Sequence, residues 1–262
     1  MNARPLAVVT GASSGIGYEL ARELAHRGHD LIVTAEDEAI TEAAQHCERL
    51  GAQVTATRAD LRDPQEVERF ATQVRDRPVD VLALNAGVGV SGDFVAGTAL
   101  ADQLAVVDLN VRSAVQLTKL LLPAMVDRGS GRLLFTSSIA ATAPGPFQTV
   151  YHASKAFLQS FAPGLREELR GRGISVTAVM PGPTETRFFE RAGMTDTKIG
   201  AGPKDPAEEV ARQAVDALLA GKDHIVTGSV RNKVQSVAGR VLPDRLMTAM
   251  HRKMSAPGTA KR

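Results

Sequence analysis

Short apolar runs, each followed closely by a stretch of helical periodicity, recur along this chain as far as residue 228. "LAVVT" (6–10), "DLIVTA" (30–35), "QVTATRAD" (53–60) and "VDVLALNAG" (79–87) read as strands, as do "GRLLFTSS" (131–138), "ISVTAVMPG" (174–182) and "HIVTG" (224–228). Between the first two, "GYELARELAHRG" (17–28) sets Leu20, Ala21, Leu24 and Ala25 on one helical face and stops at Gly28. Helices are expected over 38–51, 63–76, 149–171 and 205–221, the third of the series opening with Asp63 as N-cap and Pro64 at the first helical position. A long helical region over 100–128 is expected to break near Pro123. Strands that are apolar along their whole length, and separated by helices, belong to a parallel sheet covered on both faces. Right-handed crossovers then wind it in both directions, and ligands bind beyond the carboxyl ends of its strands. The expectation is an α/β fold: a Rossmann-like, doubly wound, parallel seven-stranded sheet with helices on both faces. One domain should span 1–254, and "SAPGTAKR" (255–262) should form a disordered tail.

Composition narrows the function classes. Of 262 residues, 44% are apolar, enough for a substantial core, and the formal net charge is only +2, with no basic block before the tail, which argues against a nucleic-acid partner. Cys47 is the single cysteine, so no intrachain disulfide can form, which fits a reducing compartment. "MNARPLAVVTG" enters the first strand with no room for a secretory segment, and no apolar run approaches the roughly 18 residues of a membrane span, so a cytoplasmic protein is expected. The segment 232–254 mixes apolar and basic residues; a packed helix pair is expected there, with contact to a membrane surface as the alternative.

"VTGASSGIG" (9–17) joins the first strand to the first helix. Gly11 permits the turn, while Gly15 and Gly17 would keep side chains away from a pyrophosphate approaching backbone N–H groups. The helix that begins near Gly15 adds partial positive charge there. The spacing is G-x-x-x-G-x-G, which departs from the generic G-x-G-x-x-G dinucleotide fingerprint.

A second constellation lies further on. Tyr151 and Lys155 stand one helical turn apart and share a face, and Ser138 ends a strand at the edge where the ligand should lie. Strand alternation turns Ser137 the opposite way, and His152 should face elsewhere on the helix. With Thr10–Gly17, "NAG" at Asn85–Gly87, Asn110, and "PGxxxT" at Pro181–Thr186, these residues resemble the short-chain dehydrogenase/reductase family over nearly the whole chain. The resemblance implies an enzyme: an NAD(P)-dependent oxidoreductase acting on a carbonyl/alcohol pair. A tyrosine has a pKa of about 10, and a neighbouring ammonium would lower it. Tyr151 would be the general acid/base, Ser138 would position the substrate oxygen, Lys155 would bind the nicotinamide ribose, and Asn110 would hold a water in a proton relay.

The resemblance also implies a cofactor-binding set: Gly11, Ser13, Ser14, Gly15, Ile16, Gly17, Glu36, Asp60, Leu61, Asn85, Ala86, Gly87, Tyr151, Lys155, Pro181, Gly182, Thr184 and Thr186. Within it, Thr186 would hold the carboxamide, Asn85 would brace the strand, and Asp60 and Leu61 would border the adenine. Members using NAD often carry aspartate where Ala35 stands, and members using NADP carry arginine at the place of Glu36 or a basic residue at that of Ser14. Neither arrangement is present. Glu36 would repel a 2′-phosphate and accept from a 2′-hydroxyl, which favours NAD(H) over NADP(H); the alternative has Arg58 meeting a phosphate. Substrate walls are expected from Val88, Ile139, Gln148, Pro183, Phe188 and Phe189, which suits a hydrophobic ketone or secondary alcohol. The resemblance implies a mobile lid near 187–203 and a homodimer or homotetramer. No metal is expected. The rival reading is a cofactor-sensing protein of the same fold without turnover, which would have no need of the proton donor.

Overall fold

The computed structural model describes residues 4–260. All seven expected strands form: β1 (Leu6–Thr10), β2 (Asp30–Ala35), β3 (Val54–Arg58), β4 (Val79–Leu84), β5 (Gly131–Thr136), β6 (Ile174–Pro181) and β7 (His224–Thr227). They make one sheet in the order β3-β2-β1-β4-β5-β6-β7, and every neighbouring pair is parallel. The order reverses between β1 and β4, so the loops leaving these two strands part and open a crevice above the sheet. β3, β4 and β5 stop short of their sequence readings because Asp60, Asn85–Gly87, Ser137 and Ser138 leave the ladder to line that crevice.

The helices before the substrate region are α1 (Gly15–His26), α2 (Ala39–Glu48), α3 (Pro64–Val74), α4 (Leu100–Val107), α5 (Ser113–Arg128) and α6 (Thr149–Glu168). Beyond it come α7 (Phe188–Arg191), α8 (Lys198–Ala201), α9 (Ala207–Leu219), α10 (Val230–Val241) and α11 (Asp244–Ser255). Side chains alternate across the sheet. Leu6, Val8, Leu82, Leu84 and Phe135 face a layer containing Phe70 of α3, Leu117 of α5 and Leu158 of α6. Ala7, Val9, Val81, Ala83 and Leu134 face the opposite layer with Leu20 and Leu24 of α1, Ile40 of α2 and Val215 of α9. Each large side chain so buried contributes roughly 1.5–3 kcal/mol relative to exposure.

The expected break at Pro123 does not occur. Pro123 lies inside α5, which stays continuous because Leu117, Leu121 and Met125 are pinned in the core. The irregularity comes earlier, as a π-helical turn over Asp108–Arg112 that joins α4 to α5. There the Ser113 hydroxyl donates to the Leu109 carbonyl at 2.6 Å. Asp63 caps α3 as expected, accepting from Gln65 N at 2.8 Å. Asp205 does not cap α9; its carboxylate instead accepts from Asn232 Nδ2 at 2.6 Å and Ser229 N at 3.2 Å, tying α10 to the loop before α9.

The C-terminal segment makes contacts of its own. After α11 the chain docks on the substrate-side loops: Gly258 N donates to the Asp196 carboxylate at 2.8 Å, Ala260 N to the Asp196 carbonyl at 2.8 Å, and Thr259 Oγ1 accepts from Lys198 N at 3.1 Å. The expected disordered tail is therefore hydrogen-bonded through Ala260, while residues 261 and 262 lie outside the described residues. Among the described residues no helix is long and apolar enough to cross a membrane.

Candidate active site

The loop from β1 to α1 needs its three glycines for two different reasons. Gly11 and Gly15 have φ of +67° and +58°, the left-handed region that glycine enters freely. Gly17 has ordinary helical geometry, but a Cβ there would collide with the Gly11 carbonyl and the Asn85 amide. Its small size thus serves packing within the protein rather than clearance for a ligand. At Gly15 a Cβ would sit 2.9 Å from Thr186 Cγ2, so that position is closed by the β6 loop. Ser14 precedes α1 without a side-chain cap, and the first turn carries no acid. The N–H groups of that turn consequently face the crevice with the helix dipole behind them, a cradle that suits a pyrophosphate.

Asn85 fastens the strand ends below this loop. Its backbone N–H donates to Thr10 Oγ1 at 3.0 Å, its Nδ2 donates to the Thr10 carbonyl at 3.1 Å, and its Oδ1 accepts from Thr136 Oγ1 at 3.0 Å. One amide therefore ties together the ends of β1, β4 and β5.

Tyr151 and Lys155 come from the first turns of α6, with the Lys155 ammonium 5.8 Å from the centre of the Tyr151 ring. The Ser138 hydroxyl lies beside Tyr151, where it favours the phenolate; it donates to the Pro181 carbonyl at 3.4 Å and accepts from Ala140 N at 3.1 Å. Ser137 is turned away, its Oγ donating to the Lys155 carbonyl at 2.9 Å. Lys155 is buried, and its ammonium donates to the Thr136 carbonyl at 2.8 Å. Burial pushes the Tyr151 phenol up to about 12, against the lowering effect of Ser138. Burial also pulls the Lys155 ammonium down to about 8. Desolvation, and not the expected lowering by the lysine, sets the direction for the phenol here. The net result is a tyrosine that holds its proton at neutral pH.

The Asn110 side chain is occupied by protein partners. It lies within the π-helical turn, is buried, and does not line the cavity. Its Oδ1 accepts from Val88 N, and its Nδ2 donates to Val88 O and to Ser154 Oγ, each at 2.9 Å. It is a positioning residue that holds Val88 against α6. A Cβ on Gly87 would lie 3.2 Å from both Asn110 Oδ1 and Lys155 Nζ, so the missing side chain leaves a small space between the amide oxygen and the ammonium.

Every other site residue expected from the sequence lines a single cavity running from the β1–α1 loop to the C-terminal helices. Residues missed by the sequence reading also line it: Asp37, Arg191, Met194, Ile199, Gln235 and His251. At its β2–β3 end, Glu36 pairs with Arg62 at 2.7 Å, and Arg62 also grips both oxygens of Asp60. The Arg62 hydrogen bonds hold the Asp60 carboxyl below its usual value. Arg62 follows Asp60–Leu61 directly, and that adjacency was the available signal. Arg58 does not reach the cavity; it donates to the Glu36 carbonyl at 2.8 Å and to Glu38 at 3.1 Å. Arg191 of α7 pairs with Asp37 at 3.2 Å across the mouth.

A doubly wound parallel sheet with a glycine turn, an uncapped helix and a Ser–Tyr–Lys cluster at its switch point defines a nucleotide-dependent oxidoreductase. The family described as short chain dehydrogenase matches residues 5–196, and the chain belongs to it. It is accordingly an oxidoreductase that works with a nicotinamide cofactor. The chain is 32% identical over 216 residues to the ketoacyl reductase HetN of Nostoc, covering 81% of this chain and 73% of that one. Among solved structures it resembles a short-chain dehydrogenase from Sphingobium yanoikuyae in complex with NADPH, with TM-score 0.80 and 29% identity over 90% of this chain and 92% of that one. It also resembles the bulky-bulky ketone specific alcohol dehydrogenase of Comamonas testosteroni, with TM-score 0.77, 27% identity and 94% of each chain covered.

Proposed function

We propose that the protein interconverts an apolar ketone and the matching secondary alcohol, with Tyr151 as general acid/base and NAD(H) as the preferred cofactor. The observation that carries this reading is that Ser138, Tyr151 and Lys155 line one cavity, the Lys155 ammonium 5.8 Å from the Tyr151 ring centre, with Val88, Ile139, Phe188 and Phe189 on its walls. When bound, the cofactor supplies or accepts the hydride. In reduction, Ser138 and Tyr151 both hydrogen-bond the substrate oxygen, and Tyr151 delivers its proton as negative charge develops there. Lys155, whose ammonium has one carbonyl partner and further N–H groups free, binds ribose hydroxyls and favours the phenolate left behind. With no side chain on Gly87 to cover Lys155 Nζ and Asn110 Oδ1, the site has room for a water that would carry the replacement proton. Thr186 would hold the carboxamide.

The preference for NAD(H) follows from the charges at the β2–β3 end. Arg62, Arg58 and Arg191 are each already paired, and the carboxylates of Glu36, Asp37, Glu38 and Asp60 outnumber them. A 2′-phosphate would have to displace a carboxylate there, whereas Glu36 can accept from a 2′-hydroxyl. The exposed apolar residues Leu100, Leu104 and Val107 of α4 and Phe157 of α6 support assembly as a homodimer or homotetramer. Two measurements test the reading. Reduced-cofactor absorbance should fall with a panel of apolar ketones, and titration should show NADH binding at least about tenfold more tightly than NADPH, the scale of one lost or repelled charge contact. Tighter binding of NADPH would contradict the cofactor assignment, and no turnover of any ketone would contradict the reaction.

A further inference from the structure

The C-terminal helices bring into the cavity two side chains that the chemistry above does not use. Gln235 of α10 and His251 of α11 line it together with Tyr151 and His152. His251 is only 6% exposed. Its Nδ1 is enclosed without a hydrogen-bond partner, and neither ring nitrogen is bonded among the described residues. Buried polar atoms in native proteins are almost always satisfied, so an orphaned imidazole nitrogen at a cavity wall needs a reason.

His152 does not supply one. Its Nδ1 is engaged with the Ala143 carbonyl at 2.8 Å, and Gly145 lies against its ring where any side chain would collide. His152 anchors the 143–145 backbone and serves as a spacer. Its ring centre lies 6.0 Å from that of Tyr151 and 5.2 Å from that of His251, the two imidazoles meeting edge-on at 85°. His251 therefore stands two ring contacts from the proton donor. That separation is suited to a second group on a substrate whose reacting carbonyl sits at Tyr151.

The neighbouring side chains indicate which kind of group. Desolvation lowers the affinity of His251 for a proton, so its ring is neutral at neutral pH. The buried Gln148 amide donates to Met194 Sδ, whereas the Gln235 amide has no partner among the described residues. The lining carboxylates Glu36, Asp37 and Asp60 all belong to the β2–β3 end of the sheet. A neutral imidazole, with the Gln235 amide lining the same cavity, matches an uncharged oxygen that can share one hydrogen bond, and it carries no formal charge to pair with an anion or ammonium.

Building on the cavity's reading as a ketone site, we propose that His251, assisted by Gln235, binds a second, uncharged oxygen of the substrate. The preferred substrates are then ketones carrying a hydroxyl, keto or ester oxygen several bonds from the reacting carbonyl. The test compares straight-chain methyl ketones with their terminal hydroxy derivatives of graded length, in wild type, His251→Phe and His251→Gln. Wild type should favour one hydroxylated length in kcat/KM by about tenfold, the scale of one hydrogen bond to a buried partner. His251→Phe should abolish that preference through KM, and His251→Gln should restore part of it. An equal preference in wild type and His251→Phe, or none in wild type, overturns the proposal. If wild type reduces no ketone at all, it is the proposed reaction that fails. Titration of the same ketone pair into cofactor-loaded protein then decides the role of His251: tighter binding of the hydroxylated member that is lost in His251→Phe supports it, and equal binding overturns it.

Discussion

At the scale of single residues, burial is the dominant influence on the site. It raises Tyr151 to about 12 and lowers Lys155 to about 8, so the donor keeps its proton while the amine titrates close to neutrality. The same effect acts on His152, which burial brings down to about 4 in spite of the Ala143 hydrogen bond. A histidine whose folded pKa is depressed is neutral in both states above about pH 6.5, the unfolded value. As pH falls from there, the unfolded chain takes up the proton first, so stability is lost progressively until about pH 4. The loss comes to about 3 kcal/mol from this side chain. Urea unfolding of wild type across that window should show this slope, and His152→Gln should show a flatter one. Parallel slopes would mean that His152 is not the group held neutral.

At the scale of elements, the π-helical turn between α4 and α5 is what brings Asn110 to Val88. π-Helical turns occur often at functional sites because the extra residue re-aims a side chain out of the helical register. Here the side chain completes both backbone hydrogen bonds of Val88, which belongs to no strand. Asn110→Leu leaves that part-buried pair unmet and should destabilise the protein by about 1–2 kcal/mol, at the lower end of the cost of buried groups left unsatisfied. Thermal unfolding checks this, and an unchanged midpoint would show that Val88 finds other partners. The strands and the helices that cover them were legible in the sequence because their apolar patterns repeat at a local period. The π turn was not, since Leu109 and Val111 continue the helical pattern without interruption. Pro123 was a false signal because propensity was judged without the tertiary burial of Leu117, Leu121 and Met125.

At the scale of the whole molecule, the reversal of strand order between β1 and β4 gathers the glycine turn, Asn85, Ser138, Tyr151 and Lys155 around one cavity. These residues are legible in the sequence because each sits at a strand end or a helix start that the apolar pattern marks. Gln235 and His251 are not, since the periodicity of α10 and α11 says nothing about where those helices dock. The docking of Gly258 and Ala260 on Asp196 is hidden for the same reason: a short polar segment resembles a free tail until its partners are known. The proposed reaction depends on Tyr151 giving its proton to the substrate oxygen. The measurement that tests this most directly is ketone-dependent oxidation of NADH at saturating cofactor by wild type and Tyr151→Phe, with NADH affinity measured for both. The kcat of the variant should be lower by at least about 100-fold, the scale of lost general acid catalysis, with NADH still bound. Equal turnover by the two proteins would contradict the role of Tyr151 as proton donor.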